Sequence, residues 1–326
     1  MDINPLLNAP ALARVADDLR RLVQPAIRLE FALAEKPLPV GTTRIGGDPD
    51  LLPETEWPTM QIDAPPPSEA FRNAYPQEVV PDNGIVSLPF VAQVRLADVA
   101  ALLPDSGLPA DGLLLLFYSD QYLKSDTGSN KHVTDNQTGI TYGYYGEGSL
   151  ERWRVLYVPE SETTQLVTTA SPHDVPQEAR YKPCGLTRAS AELTLPAVET
   201  CYIGEPDGID GVIRLTQAEW NEYADLQNET QSDSHYHRML GHWDNPQPYT
   251  MEGAYAQVRP TFTPERAWDA LSPDEKQQEY AQVRLLLQLE PNDSGMWFGR
   301  AGVLFFYIRE SDLRERDFSR VWAATQ

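Results

Sequence analysis

An α+β fold dominated by strands is predicted for this 326-residue chain by three features of its sequence. Its apolar runs are short, Leu113 to Tyr118 and Val303 to Ile308 being strand length, and 28 prolines and 20 glycines punctuate the rest. Segments with helical spacing are few and small. Two stretches, one in each half, also carry the same cues in the same order. In the first, Arg44-Ile45-Gly46-Gly47 is followed by Phe90 to Leu96, which contains Gln93, and then by Gly112 and its apolar run. In the second, Arg238-Met239-Leu240-Gly241 is followed by Leu285 to Glu290, which contains Gln288, and then by Gly302 and its apolar run. Gly46 precedes Gln93 by 47 positions, as Gly241 precedes Gln288. Two copies are too few for a solenoid. The spacing predicts instead a duplicated β-rich unit, over about 26–118 and 212–308, inside one domain spanning 1–326 with a shared core.

The elements follow in order. Leu12, Val15, Leu19 and Leu22 recur at spacings of three and four, which predicts a helix from Ala11 to about Val23, closed by Pro25. Ala26 to Leu33 alternates apolar and charged residues, the period of a half-buried strand. Gly41 to Pro53 reads as a loop in which Gly46 and Gly47 permit a turn at positive φ. Phe90 to Leu96 is a strand, Leu96 to Leu103 a short helical turn, and Leu113 to Tyr118 a central strand covered on both faces. Asp120 to Gly148, polar and rich in Gly and Asn, is a long excursion, followed by a strand from Trp153 to Val158. Extended segments broken by four prolines fill Glu162 to Thr200. Thr216 and Glu219 form a capping box that opens a helix to about Gln231, and Ser272 with Pro273 starts another. Two strands, Arg284 to Leu289 and Val303 to Ile308, precede a short helix at Glu310 to Arg316.

Charge narrows the function classes. With 48 acidic against 26 basic residues the net charge is −22, so direct nucleic-acid binding, which draws its affinity from cations on phosphates, is not expected. Anionic membrane surfaces are disfavoured for the same reason, and no apolar run approaches a membrane span. A basic protein partner fits the field. The two cysteines, Cys184 and Cys201, lack metal or disulfide spacing and read as reduced thiols. With no secretion signal at the start, the expectation is a soluble cytoplasmic protein, monomeric when free.

No catalytic signature names a reaction. His235, His237 and His242, with Asp244 nearby, form the one histidine cluster and are weak metal candidates, set against a structural role for the same segment. Gly204 to Gly211 lacks the ligand spacing of a calcium loop and reads as an acidic turn, whose Glu205, Asp207 and Asp210 could touch a basic partner. No phosphate-cradling glycine spacing and no nucleophile elbow is present, so no cofactor and no resident metal is expected. Gln93 and Gln288 are expected to tie down the backbone of a neighbouring loop. The tryptophans at 57, 153, 243, 297 and 322 are read as core, with a groove as the competing role.

Taken together, Ile45-Gly46-Gly47-Asp48-Pro49 with Glu56-Trp57-Pro58, then Pro89 to Val94, and the ending from Gly302 to Arg309 and from Asp317 to Trp322, resemble the YwqG-like family. The resemblance runs from about residue 10 to residue 323 and implies an internally duplicated, mostly β-roll with short peripheral helices. It departs from the family cue at Leu240 to Pro246, where a Gly-Gly-x-Pro element would stand. The family carries no assigned activity. Its members often neighbour polymorphic toxins, so the resemblance implies an immunity protein that binds a secreted antibacterial toxin, plausibly a nuclease, and covers its substrate surface without catalysis. The alternative is an enzyme or small-ligand binder using a groove between the two repeats.

Overall fold

The computed structural model describes residues 3–61, 68–70, 85–119, 133–135, 140–142, 152–198, 200, 202–204, 206, 212–231, 237–244, 272, 275, 278–279, 281–299 and 302–325. The named strands, in chain order, are β1 (Gln24–Leu33), β2 (Arg44–Ile45), β3 (Asp50–Leu51), β4 (Thr59–Gln61), β5 (Ile85–Ser87), β6 (Phe90–Arg95), β7 (Leu113–Tyr118), β8 (Val133–Asp135), β9 (Ile140–Tyr142), β10 (Trp153–Val158), β11 (Val167–Thr168), β12 (Cys184–Thr194), β13 (His237–Leu240), β14 (Val283–Leu289), β15 (Leu304–Arg309) and β16 (Trp322–Thr325). The α-helices among the described residues are α1 (Asn4–Asn8), α2 (Ala16–Leu22), α3 (Gln217–Gln231) and α4 (Glu310–Glu315). The protein is mostly β, with few and mainly short helices.

Ten strands form one antiparallel sheet in the order β10-β7-β6-β2-β12-β1-β13-β14-β15-β16. The order is balanced about the β12–β1 pair. On one side come the two-residue β2, the antiparallel pair β6 and β7 and the edge strand β10, and on the other side the four-residue β13, the antiparallel pair β14 and β15 and the edge strand β16. β1 does not pair with the next strand in the chain, β2. Its neighbours are β12, in a register that runs from Gln24↔Thr194 to Leu33↔Cys184, and β13, from Ala26↔Leu240 to Leu29↔His237. The sheet nearly closes, because its two edges meet through side chains: Trp153 Nε1 on β10 donates to Val321 O at 2.7 Å, and Tyr157 lies against Phe318. Edges tied in this way are poor templates for another chain.

Strand β7 shows why its sequence is apolar throughout. Leu114, Leu116 and Tyr118 point into the main core with Ile27, Leu29, Leu287 and Phe306, while Leu113, Leu115 and Phe117 enter a second cluster with Leu51, Met60, Val86 and Leu88. Period-2 side-chain alternation requires this when both faces are covered. The small pairs β3–β11 and β4–β5 supply that second layer.

The helical segments differ from the expectation at one place. The predicted helix from Ala11 divides into a 3₁₀ turn, Pro10–Leu12, and α2. Between them Arg14 reaches away to α3, where Nε and Nη2 donate to Glu219 at 2.8 and 2.6 Å and Nη2 also donates to Arg214 O. The helix then ends at Leu22, so Pro25 lies inside β1 opposite Leu193 instead of capping the helix. Both capping boxes form: Thr216 N donates to Glu219 Oε2 at 2.8 Å and Glu219 N to Thr216 Oγ1 at 3.3 Å, with the same exchange between Ser272 and Glu275. In the region read only as extended segments, β12 is an eleven-residue strand at the centre of the sheet. The excursion from Asp120 to Gly148 falls mostly outside the described residues.

Candidate functional site

Two buried arginines organise the polar interior. On the first side Arg44 of β2 stands opposite Gln93 of β6. The chain turns back after Ile45 through Gly46 (φ 64°) and Gly47 (φ 73°), which returns Asp48 and Asp50 to the arginine that precedes them. Arg44 Nη2 meets Asp50 Oδ1 at 2.7 Å and donates to Asp48 O at 2.5 Å. Gln93 closes the loop with both ends of its amide: Oε1 accepts from Asp50 N at 3.0 Å, and Nε2 donates to Asp50 Oδ2 and to Thr42 O. Gly41 N and Thr168 Oγ1 add two further donors to Asp50, each at 2.7 Å. Although burial alone would raise its pKa, the bonds from Thr168, Gln93 and Gly41 and the charge of Arg44 hold Asp50 below the usual carboxylate range.

The second side repeats the construction with different chemistry. Arg238 of β13 stands opposite Gln288 of β14, and the chain turns through Leu240 (φ 63°) and Gly241 (φ 67°). Arg238 Nη1 meets Asp244 Oδ1 at 3.0 Å and donates to His242 O at 3.1 Å. Gln288 Oε1 accepts from Asp244 N at 3.0 Å, and its Nε2 donates to Asp244 Oδ2 at 2.7 Å. Counted from the arginines, the positional partner of Gly241 is Gly47, and Gly46 corresponds to Leu240. The equal 47-residue spacing therefore paired glycines that occupy different positions in corresponding turns. Position 46 needs glycine for a local reason, since a Cβ there would lie 2.3 Å from Lys182 O.

Three differences set the second side apart, and the first two make it more acidic. Arg238 Nε is bound by Glu192 of β12 at 2.8 Å. Two residues past the glutamine, Glu290 occupies the place of Arg95. The residue before the arginine is His237 instead of Thr43. Thr43 Oγ1 accepts from Arg95 N at 2.9 Å and donates to Asp98, while His237 Nδ1 accepts from Glu290 N at 3.2 Å. Glu290 also takes Gln288 Nε2 at 2.8 Å. Burial, and after it the charge of Asp244, pushes Glu290 up to about 7. Glu192 moves the other way: burial opposes its ionisation, but Arg238 holds it low.

The sequence-predicted residues are dispersed by this arrangement. Gln93 and Gln288 do tie down loop backbones, as their positions imply. His242 is buried, with Nε2 donating to Leu22 O at 2.6 Å, and burial lowers it to about 4. His237 accepts at Nδ1, so that nitrogen carries no proton, and its ring packs edge-on to Phe31. Among the described residues no group of three or more His, Cys, Asp or Glu is placed to hold a metal ion. His235, Glu205, Asp207 and Asp210 lie outside the described residues. Cys184 is buried, which pushes its thiol up to about 11 and leaves it a poor nucleophile. Trp153, Trp243 and Trp322 belong to the core, whereas Trp297 is 58% exposed on the loop after β14.

A family described as a domain of unknown function, DUF1963, matches residues 43–326. This chain belongs to that family. The DUF1963 match starts beside Arg44 and spans both arginine centres, but β1 lies ahead of it. No curated protein matches the sequence. Among the described residues no helix is long and apolar enough to cross a membrane.

Proposed function

We propose that this DUF1963 protein is a YwqG-like immunity protein, which binds a secreted antibacterial toxin and covers its substrate-binding surface. The net charge of −22 carries this reading. An acidic surface imitates the phosphate charge that a nuclease cleft is built to hold, and opposite fields speed encounter and fix register. The interior supports a binding role over catalysis, since the arginines and glutamines of both centres are committed to holding loops. We further read the two halves as copies of one unit, supported by the balanced strand order and the paired Arg–Asp–Gln constructions. The crossing of β1 and β12 joins the two halves in one sheet, and we read the protein as cytoplasmic and monomeric when free.

Co-expression with a candidate toxin from an adjacent gene, followed by purification and a nuclease assay, tests the reading. A complex in which toxin activity is lost supports it. A complex whose toxin still cleaves, or no complex at all, refutes it. Alanine at Glu205, Asp207 and Asp210 is expected to slow association and flatten its salt dependence more than it speeds dissociation, as measured by stopped flow.

A further inference from the structure

Glu290 stands where β14 gives way to the loop that follows it, and its backbone and one carboxyl oxygen are tied to that junction. Its N–H goes to His237, its carbonyl accepts from Asn292 Nδ2 at 2.8 Å, and its carboxyl shares Gln288 Nε2 with Asp244. The loop continues as a ladder. Ser294 N donates to Asn292 Oδ1 at 2.8 Å, Gly295 N to Asn292 O, and Met296 N to Ser294 Oγ, while Ser294 O receives Lys182 N just ahead of β12. Loosening Glu290 therefore loosens the contact between this loop and the start of a central strand.

The charges around it do not balance. Facing Glu290 are Arg238 from β13, Arg28 from β1 and Asp244 from the turn after β13. Arg238 is already engaged by Glu192 and Asp244, and Arg28 lies 3.4 Å from Glu30. Two guanidinium groups, with the amino terminus acting on Glu192, thus serve four carboxylates. Like charges in a partly buried site favour proton uptake by one of them. His237 does not take that proton at Nδ1, which accepts the backbone N–H of Glu290. Glu290 has one side-chain donor, shared with a competing carboxylate, whereas Asp244 and Glu192 each hold an arginine.

We propose that the carboxyl of Glu290 is a proton-operated latch: protonated, it lets the Glu290–Met296 loop sit against β12 and β13, and when its proton passes to water the repulsion from Asp244 loosens that loop. The first centre has no such device, because Arg95 occupies the corresponding position. The raised pKa of Glu290, about 7, places the change near neutrality. The inference stands independently of any toxin.

Amide exchange of Lys182, Gly295 and Met296, corrected for the chemical exchange rate, tests it on the whole protein. From about pH 5 to about pH 7 the opening constant of these amides is expected to rise by up to about tenfold per pH unit and to level off above the midpoint, and to stay level throughout in Glu290→Gln. Opening independent of pH in the wild type, or an equal rise in E290Q, overturns the latch. Carbon NMR of the Glu290 side-chain carboxyl in the wild type supplies a check that needs no variant. A midpoint between about 6 and about 8 supports the proposal, and one at an ordinary glutamate value, about 4, overturns it.

Discussion

The two arginine centres share one construction and differ in how many negative charges they hold. Around Arg44 a single carboxylate, Asp50, is met by the guanidinium and by donors from Gly41, Gln93 and Thr168 as well as its own N–H fixed by Gln93. Around Arg238 two carboxylates share the guanidinium, and a third, Glu290, leans on the amide that already serves Asp244. The difference teaches that a buried ion pair is stable when its remaining lone pairs are satisfied locally, and becomes responsive to pH when they are not. The first centre is a closed fastening. The second is held by its arginine and adjusted by its protons.

The largest expected effect comes from removing that arginine. Arg238→Met strands Glu192 and Asp244 together and is expected to cost about 4–5 kcal/mol, against about 3–4 kcal/mol for Arg44→Met, where Asp50 keeps its neutral donors. Urea denaturation measures both, and a larger loss for Arg44→Met would reverse the comparison. The turns come next. Gly46→Ala drives a Cβ toward Lys182 O and is expected to cost about 2–4 kcal/mol. Leu240 adopts almost the same φ, so its turn already tolerates a side chain at a strain of about 1–2 kcal/mol. If Gly46→Ala left stability unchanged, the close approach would not constrain the turn.

Stability against pH separates the centres further. Glu290 is raised in the folded state, so its contribution is fully present below the unfolded value of about 4.5 and is lost as pH climbs through about 7. Asp50 and Glu192 are lowered, so their contributions are present above their unfolded values and vanish as pH falls through their folded ones. Glu290→Gln is therefore expected to be more stable than the wild type at about pH 8, with a gain of about 1–3 kcal/mol that shrinks toward about pH 5. Thermal melts across that range measure it, and a constant difference would show that Glu290 does not titrate there. The smallest effect is expected from Thr43→Val, which removes the acceptor for Arg95 N and should cost about 1 kcal/mol, with no pH dependence near neutrality. Denaturation at two pH values checks both parts.

Much of this architecture is written in local sequence. The apolar runs at Leu113 and Val303, the Thr216–Glu219 cap and the paired glutamines follow from period and chemistry, and each forms as those rules require. The arginine centres were also present, in a pattern that the comparison of glycines obscured. Arg44, Gly47 and Asp50 are spaced as Arg238, Gly241 and Asp244 are, so an Arg-x-x-Gly-x-x-Asp element precedes each glutamine. Aligning Gly46 with Gly241 shifted the match by one residue and hid it. The role of Glu290 had no such signal. Its properties come from Asp244, Arg238 and Arg28, which reach it from two other strands and a turn, and no spacing along one strand reports that company. The length of β12 was hidden for a related reason: its outer face is half exposed, so Gly185, Thr187 and Arg188 read as loop composition.

The placement of β1 has a consequence for how the chain is made. It is synthesised early, yet both of its neighbours come much later, at Cys184–Thr194 and His237–Leu240. At the pace of translation, about 5–20 residues per second, β1 waits roughly 10–30 s before its first partner exists. During that interval Ile27, Leu29 and Phe31 have no sheet to enter, and the nascent first half lacks the strand pair that joins it to the second. Closing contacts so distant in sequence is slow even after release. The central pair of the sheet thus forms only once Cys184–Thr194 has been made, and the first half of the nascent chain must wait for it.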